Sequence, residues 1–129
     1  MENEHPNDGI VLDRYPAKLH PGDIDALIDV TAGPINKRCP KLARWMAGWL
    51  HAEVDRRKVN ELASEPMEPT LPAFNASTWT NGELADATHI TFAVLAAMED
   101  RPNTYDILAN IHSIILAWAA IRLRETSGA

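Results

Sequence analysis

The chain has 129 residues, 46 % of them apolar, and carries 18 acids against 12 lysines and arginines for a net charge of −6. That supports one folded domain and is too short for two substantial cores. Cys39 is the only cysteine, which excludes an intrachain disulfide and a cysteine-built zinc site within one chain. The opening MENEHPNDG is acidic and lacks an apolar leader core, so a cytoplasmic location is expected.

Residues 1–20 read as an irregular arm with one apolar run, Ile10, Val11 and Leu12, by which it is expected to dock. A first helix is predicted over 21–32. Asp23 and Asp25 lie in its first turn, where the helix dipole favours acids, and Gly33-Pro34 is expected to end it. Ile24, Leu27, Ile28 and Thr31 fall on one narrow stripe. A second helix is predicted over 40–64. Pro40 suits its first position, where a missing N–H costs nothing. Leu42, Trp45, Met46, Trp49, Leu50 and Val54 share its buried face, Val59 and Leu62 extend that face, and Arg44 and Arg57 point to solvent.

Residues 65–79 form a proline-rich connector, with Pro66, Pro69 and Pro72 spaced for a stiff polyproline II segment. Its PxxP spacing is flanked by Glu65 and Glu68 rather than by the base a recruitment motif uses. The sequon Asn75-Ala76-Ser77 carries no weight without a secretory leader. A third helix is predicted over 81–98, opened by a capping box between Thr80 and Glu83. The fourth, over 103–125, is capped by Asn103 or Thr104. Ile107, Leu108, Ile111, Ile114, Ile115, Trp118 and Ile121 cover a broad arc, and its opposite face (Ala109, His112, Ser113, Leu116, Ala120) is only weakly polar. A helix apolar nearly all round is expected to be buried on most sides. Three companions do not suffice for that, so its second face is expected to meet another copy or another protein. The apolar run Ile107–Ile121 is 15 residues, short of the ~20 a membrane span needs.

Charge is segregated. Residues 1–36 carry −5, residues 37–64 carry +4 and residues 65–129 carry −5. The basic segment is expected to fold against its acidic neighbours; the alternative is a patch of Lys37, Arg38, Lys41 and Arg44 that holds an anionic partner. TNGELADATHIT resembles the front of a helix-turn-helix. The following TFAVLAAM, however, has no Arg, Lys, Asn or Gln to read a base, and acids flank it. One continuous helix is the expectation there.

Two pairs stand at helical metal-ligand spacing, His51 with Asp55 and Asp86 with His89, and neither completes a bundle metal site. His112 and Ser113 are neighbours on a helix and diverge by about 100°. Cys39, near Lys37, Arg38 and Lys41, is the one reactive-thiol candidate; an inert thiol at a helix cap is the competing reading. The chain is therefore read as an all-α bundle of about four helices, without cofactor. It is expected to be a non-enzymatic protein-binding protein, an oligomer or an inhibitor whose acidic surface occupies a nucleic-acid-processing complex. Trp79, His112, Leu116 and Trp118 are the candidate interface. A nucleic-acid regulator built on 37–58 and a helical metalloprotein are the alternatives; nucleic acid and membrane are not the expected partners.

Overall fold

A computed structural model describes residues 19–62, 64–65 and 74–127. The arm's Ile10, Val11 and Leu12 and the three connector prolines lie outside the described residues. Four helices and no strand are present among those described, so the chain is an all-α bundle.

The first helix, α1, is longer than its sequence implies. It comprises Pro21–Val30, a π-helical turn Thr31–Ile35 and a last turn Asn36–Arg38. Gly33-Pro34 does not end it. A proline inside an α-helix deletes one i→i−4 bond and its ring meets the carbonyl four residues back. Here the backbone widens instead: the Asn36 N–H reaches the Thr31 carbonyl, an i→i−5 step, and wide turns of this kind occur as single π-bulges. Ile35 is thereby carried into the core.

Cys39, in a non-helical conformation, separates α1 from α2 (Pro40–Leu62). Leu42, Met46, Trp49 and Leu50 are buried as their spacing predicts, and Trp45 and Val54 are half-buried against the same core. Val59 and Leu62 are not: Leu62 is 91 % exposed.

The third helix, α3 (Asn81–Ala97), is unbroken through His89, which removes the helix-turn-helix reading. Its capping box forms in both directions: the Glu83 N–H donates to Thr80 Oγ1 at 3.1 Å, and the Thr80 N–H donates to Glu83 Oε1 at 2.8 Å. A short turn leads into α4 (Pro102–Ser127), which packs along α3 more extensively than any other pair of helices. Three of the four helices thus begin on a proline, Pro21, Pro40 and Pro102, using the position where its missing donor is free of cost.

Two polar side chains tie these elements together. Asp23 accepts the His20 N–H at 3.1 Å and the Thr104 hydroxyl at 3.2 Å, joining the start of α1 to the start of α4. Burial alone would raise its pKa; the His20 and Thr104 hydrogen bonds outweigh that and hold it below the usual value. Arg122 reaches the carbonyls of Trp79 at 2.7 Å and Ala76 at 3.1 Å and the side chain of Asn81 at 3.1 Å, pinning the end of the connector to α4. That places Phe74 edge-on between Trp45 and Trp79, at 5.2 and 5.4 Å between ring centres.

Candidate functional site

The basic segment does fold against acids. Arg38 Nε lies 3.1 Å from Asp86 and Lys41 Nζ 3.0 Å from Glu83, both on α3. Lower on α2, Glu53 is only 2 % exposed and takes hydrogen bonds from Arg56 and Arg57. Burial would push that carboxyl up, but the two guanidiniums hold it below its usual value. Arg57 is therefore turned inward rather than to solvent. Of the four candidate patch residues only Lys37 and Arg44 are left without an ion pair among the described residues. Trp49 is sealed in the core, so it cannot stack on a base.

Cys39 is buried, and its Sγ lies 3.7 Å from the Glu83 carbonyl oxygen. Burial, reinforced by the charges of Asp86 and Glu83, pushes the thiol up from its ordinary value. Of the nearby bases Arg38 and Lys41 are already paired with those same acids, and the buried thiol with its raised pKa is not the activated thiolate. His51 and Asp55 form an exposed pair at 3.6 Å, and Asp86 turns to Arg38 rather than sharing a ligand site with His89. Among the described residues no three His, Cys, Asp or Glu side chains converge as a metal site.

The candidate interface residues separate. Trp79 is 8 % exposed and belongs to the aromatic cluster of the interior. Trp118 is half-buried against the core. Leu116, by contrast, is exposed on α4, one turn from His112, which is half-buried against α3. Ile107, Leu108, Ile111, Ile114 and Ile115 point inward, while Leu116 is 44 % and Leu123 66 % exposed. The helix is thus an edge helix, not a central one. Beside it on α3, Phe92 is 60 % exposed, with its ring 5.9 Å from that of His112. Thr91 gives its hydroxyl proton to the Ala87 carbonyl and contacts His112 Nδ1 at 2.7 Å. Burial keeps the His112 pKa below the ordinary 6.5.

A second open surface was not legible in the sequence. Between α1 and α2 runs a groove of about 530 Å³, walled by Ile28 and Ala32 on one side and Ala43, Ala47, Leu50 and Val54 on the other. Thr31 adds no polarity to it, because its hydroxyl is bonded to the Leu27 carbonyl at 2.6 Å. Arg44 and His51 stand at its rim. Its small residues were the available signal: Ala32 on α1 and Ala47 on α2 leave space where larger side chains would have met.

Pro102–Glu125 is long and apolar enough to cross a bilayer by length and composition, with a mean hydropathy of 1.4 and 28 % of that stretch buried. Asp106 and Arg122 bracket only 15 residues of it, however, and each costs about 3 kcal/mol at the centre of a membrane. Arg122 is moreover committed to the connector's carbonyls. Compared with known proteins, the chain matches no family model, no curated protein and no solved structure.

Proposed function

We propose that the chain is a non-enzymatic interaction protein that works by docking protein surfaces onto its bundle. The observation that carries this reading is the α3–α4 flank, where Phe92 and Leu116 remain exposed beside His112 and Leu123 is exposed two turns further along α4. Large side chains left together in water are characteristic of binding surfaces rather than of random scatter. The state of the reactive groups supports the non-enzymatic half: Cys39 is buried with a raised pKa, and His112 is bonded to Thr91. An acidic mimic of nucleic acid has weaker support, because Asp23, Glu53, Glu83 and Asp86 are all engaged within the bundle.

The test is affinity capture with the immobilised chain, run beside a Phe92→Glu, Leu116→Glu variant whose helicity is checked by circular dichroism. A defined protein retained by the parent chain and lost by the variant supports the reading. Identical retention by both, together with a monomeric parent, overturns it. A salt-sensitive shift of a labelled single strand that Lys37→Glu, Arg44→Glu removes would favour the nucleic-acid alternative instead.

A further inference from the structure

A cleft of about 380 Å³ lies between α2 and the end of the connector, lined by Lys41, Arg44, Trp45, Phe74, Asn75 and Trp79. That volume is within the range of about 300–1,000 Å³ typical of sites for small organic ligands. The polarity of the cleft is one-sided. Lys41 and Arg44 bring only N–H donors. The Asn75 amide has an acceptor end, but its Oδ1 already takes the Ser77 N–H at 2.8 Å, which leaves the NH₂ end for a ligand. Two connector carbonyls close by are taken as well, Trp79's by Arg122 and Ala76's by Arg122 and the Trp79 N–H. Among the described residues no acid lines the cleft. Glu83 holds Lys41 at 3.0 Å from outside that lining and uses one of the three ammonium protons. Donors gathered without competing acceptors select an anionic, acceptor-rich group.

The walls are aromatic. Phe74 and Trp79 are buried and Trp45 is half-buried, so Trp45 is the ring that a ligand can reach. Trp49 at 6.2 Å and Phe74 at 5.2 Å between ring centres hold it from two sides. A surface fixed in advance gives up little freedom on binding. The site is also small in extent. Arg44 is exposed and makes no ion pair among the described residues, whereas Arg38 is paired with Asp86 and Trp49 is sealed in the core. A nucleic-acid strand needs a cationic track and successive stacking platforms, and a chain at −6 repels a polyanion. One accessible ring beside one unpaired guanidinium matches a single ring with a single anionic group.

We propose that this cleft binds a small aromatic anion, its planar ring lying against Trp45 and its carboxylate or phosphate held by Arg44, Lys41 and the Asn75 amide. Such a ligand site is additional to protein docking on the α3–α4 flank and does not depend on it.

Nuclear magnetic resonance of the isotope-labelled full chain tests this through the tryptophan indole and asparagine amide N–H signals. Adenosine monophosphate and phenylacetate serve as the phosphate-bearing and carboxylate-bearing probes, with adenosine and inorganic phosphate as the separate halves. At least one of the two aromatic anions should move the Trp45 and Asn75 signals to saturation, and the tighter of them identifies the anionic group. Adenosine and inorganic phosphate should each bind about tenfold more weakly or worse. Arg44→Ala should weaken binding about tenfold to a hundredfold. Asn75→Asp keeps an acceptor for the Ser77 N–H but sets a carboxylate in the cleft, and should abolish binding with helicity unchanged by circular dichroism. Arg44 borders both the cleft and the α1–α2 groove while Asn75 lines only the cleft, so loss in both variants assigns the ligand to the cleft. The proposal is overturned if neither aromatic anion moves these signals, if adenosine binds as tightly as its monophosphate and phenylacetate fails, or if Asn75→Asp binds unchanged. A labelled single strand that binds where both small anions fail overturns it too, in favour of the nucleic-acid alternative.

Discussion

The two helical hairpins of this bundle close differently. In α3–α4, Leu84, Ala87, Thr91, Val94 and Leu95 are buried on one helix and Ile107, Leu108, Ile111, Ile114 and Ile115 on the other. In α1–α2 the inner residues Leu27, Ile35, Leu42 and Met46 are buried too, but a groove opens along the outer seam, walled by Ile28 and Ala32 on one helix and Ala47 and Val54 on the other. Apolar residues line both, so apolarity alone does not separate a sealed interface from a groove. Alanine is apolar enough to belong in a core and too small to fill the space between two helices 8–10 Å apart.

Substitutions of matched chemistry should expose that difference. Ile115→Ala, in the sealed hairpin, is expected to cost about 2–5 kcal/mol, whereas Ala47→Leu in the open one should stay within about 0.5 kcal/mol in dilute solution. Urea midpoints with unchanged slopes would check both. A large loss for Ala47→Leu would mean that the groove is closed in solution. Next in size is Arg122→Ala, which removes the side-chain donor to the Trp79 carbonyl and one of the two donors to the Ala76 carbonyl and should cost about 1–3 kcal/mol. Arg122→Lys should recover only part, because one ammonium cannot reproduce the fork; loosening of the Phe74–Trp79 pair would register in tryptophan fluorescence. Thr80→Ala removes the α3 cap and should cost about 1 kcal/mol by the same denaturation assay.

The smallest expected effect is the pH response of the α3–α4 face. Burial lowers the His112 pKa below 6.5, so in mildly acid solution the unfolded chain binds the proton more readily than the folded one. Stability should be full above pH 6.5 and decline as pH falls through the lower, folded-state value. In His112→Gln that slope should flatten; an unchanged slope would assign it elsewhere. At more acid pH, Asp23, Glu53 and Glu83, all held below their usual values, should add a further loss as they protonate.

What could be read in advance depended on how local the cause was. Thr80 and Glu83 are three residues apart, and the cap they predict forms. The buried stripe of α2 followed from spacing alone up to Val54, then failed at Leu62, because whether an apolar face is covered depends on which other segments reach it. Asp23 was read as a dipole partner and proved to clasp Thr104, 81 residues away. Arg122, near the end of α4, holds the connector 46 residues away. Trp79 was placed at an interface by residue type, and Phe74 together with the connector's path puts it inside.

By itself, then, the sequence determined the all-α class, the helix starts at Thr80 and Pro40 and the apolar arc of α4, because these follow from backbone chemistry and periodicity within a few residues. Only the tertiary structure decided that α1 runs through Pro34, that Arg38 and Lys41 are spent on α3, that Cys39 is sealed, that Leu116 and Leu123 of α4 are exposed, and that a groove opens between α1 and α2. Each of those depends on which distant surface happens to arrive, and how closely two helices meet is set by side-chain volumes on both at once.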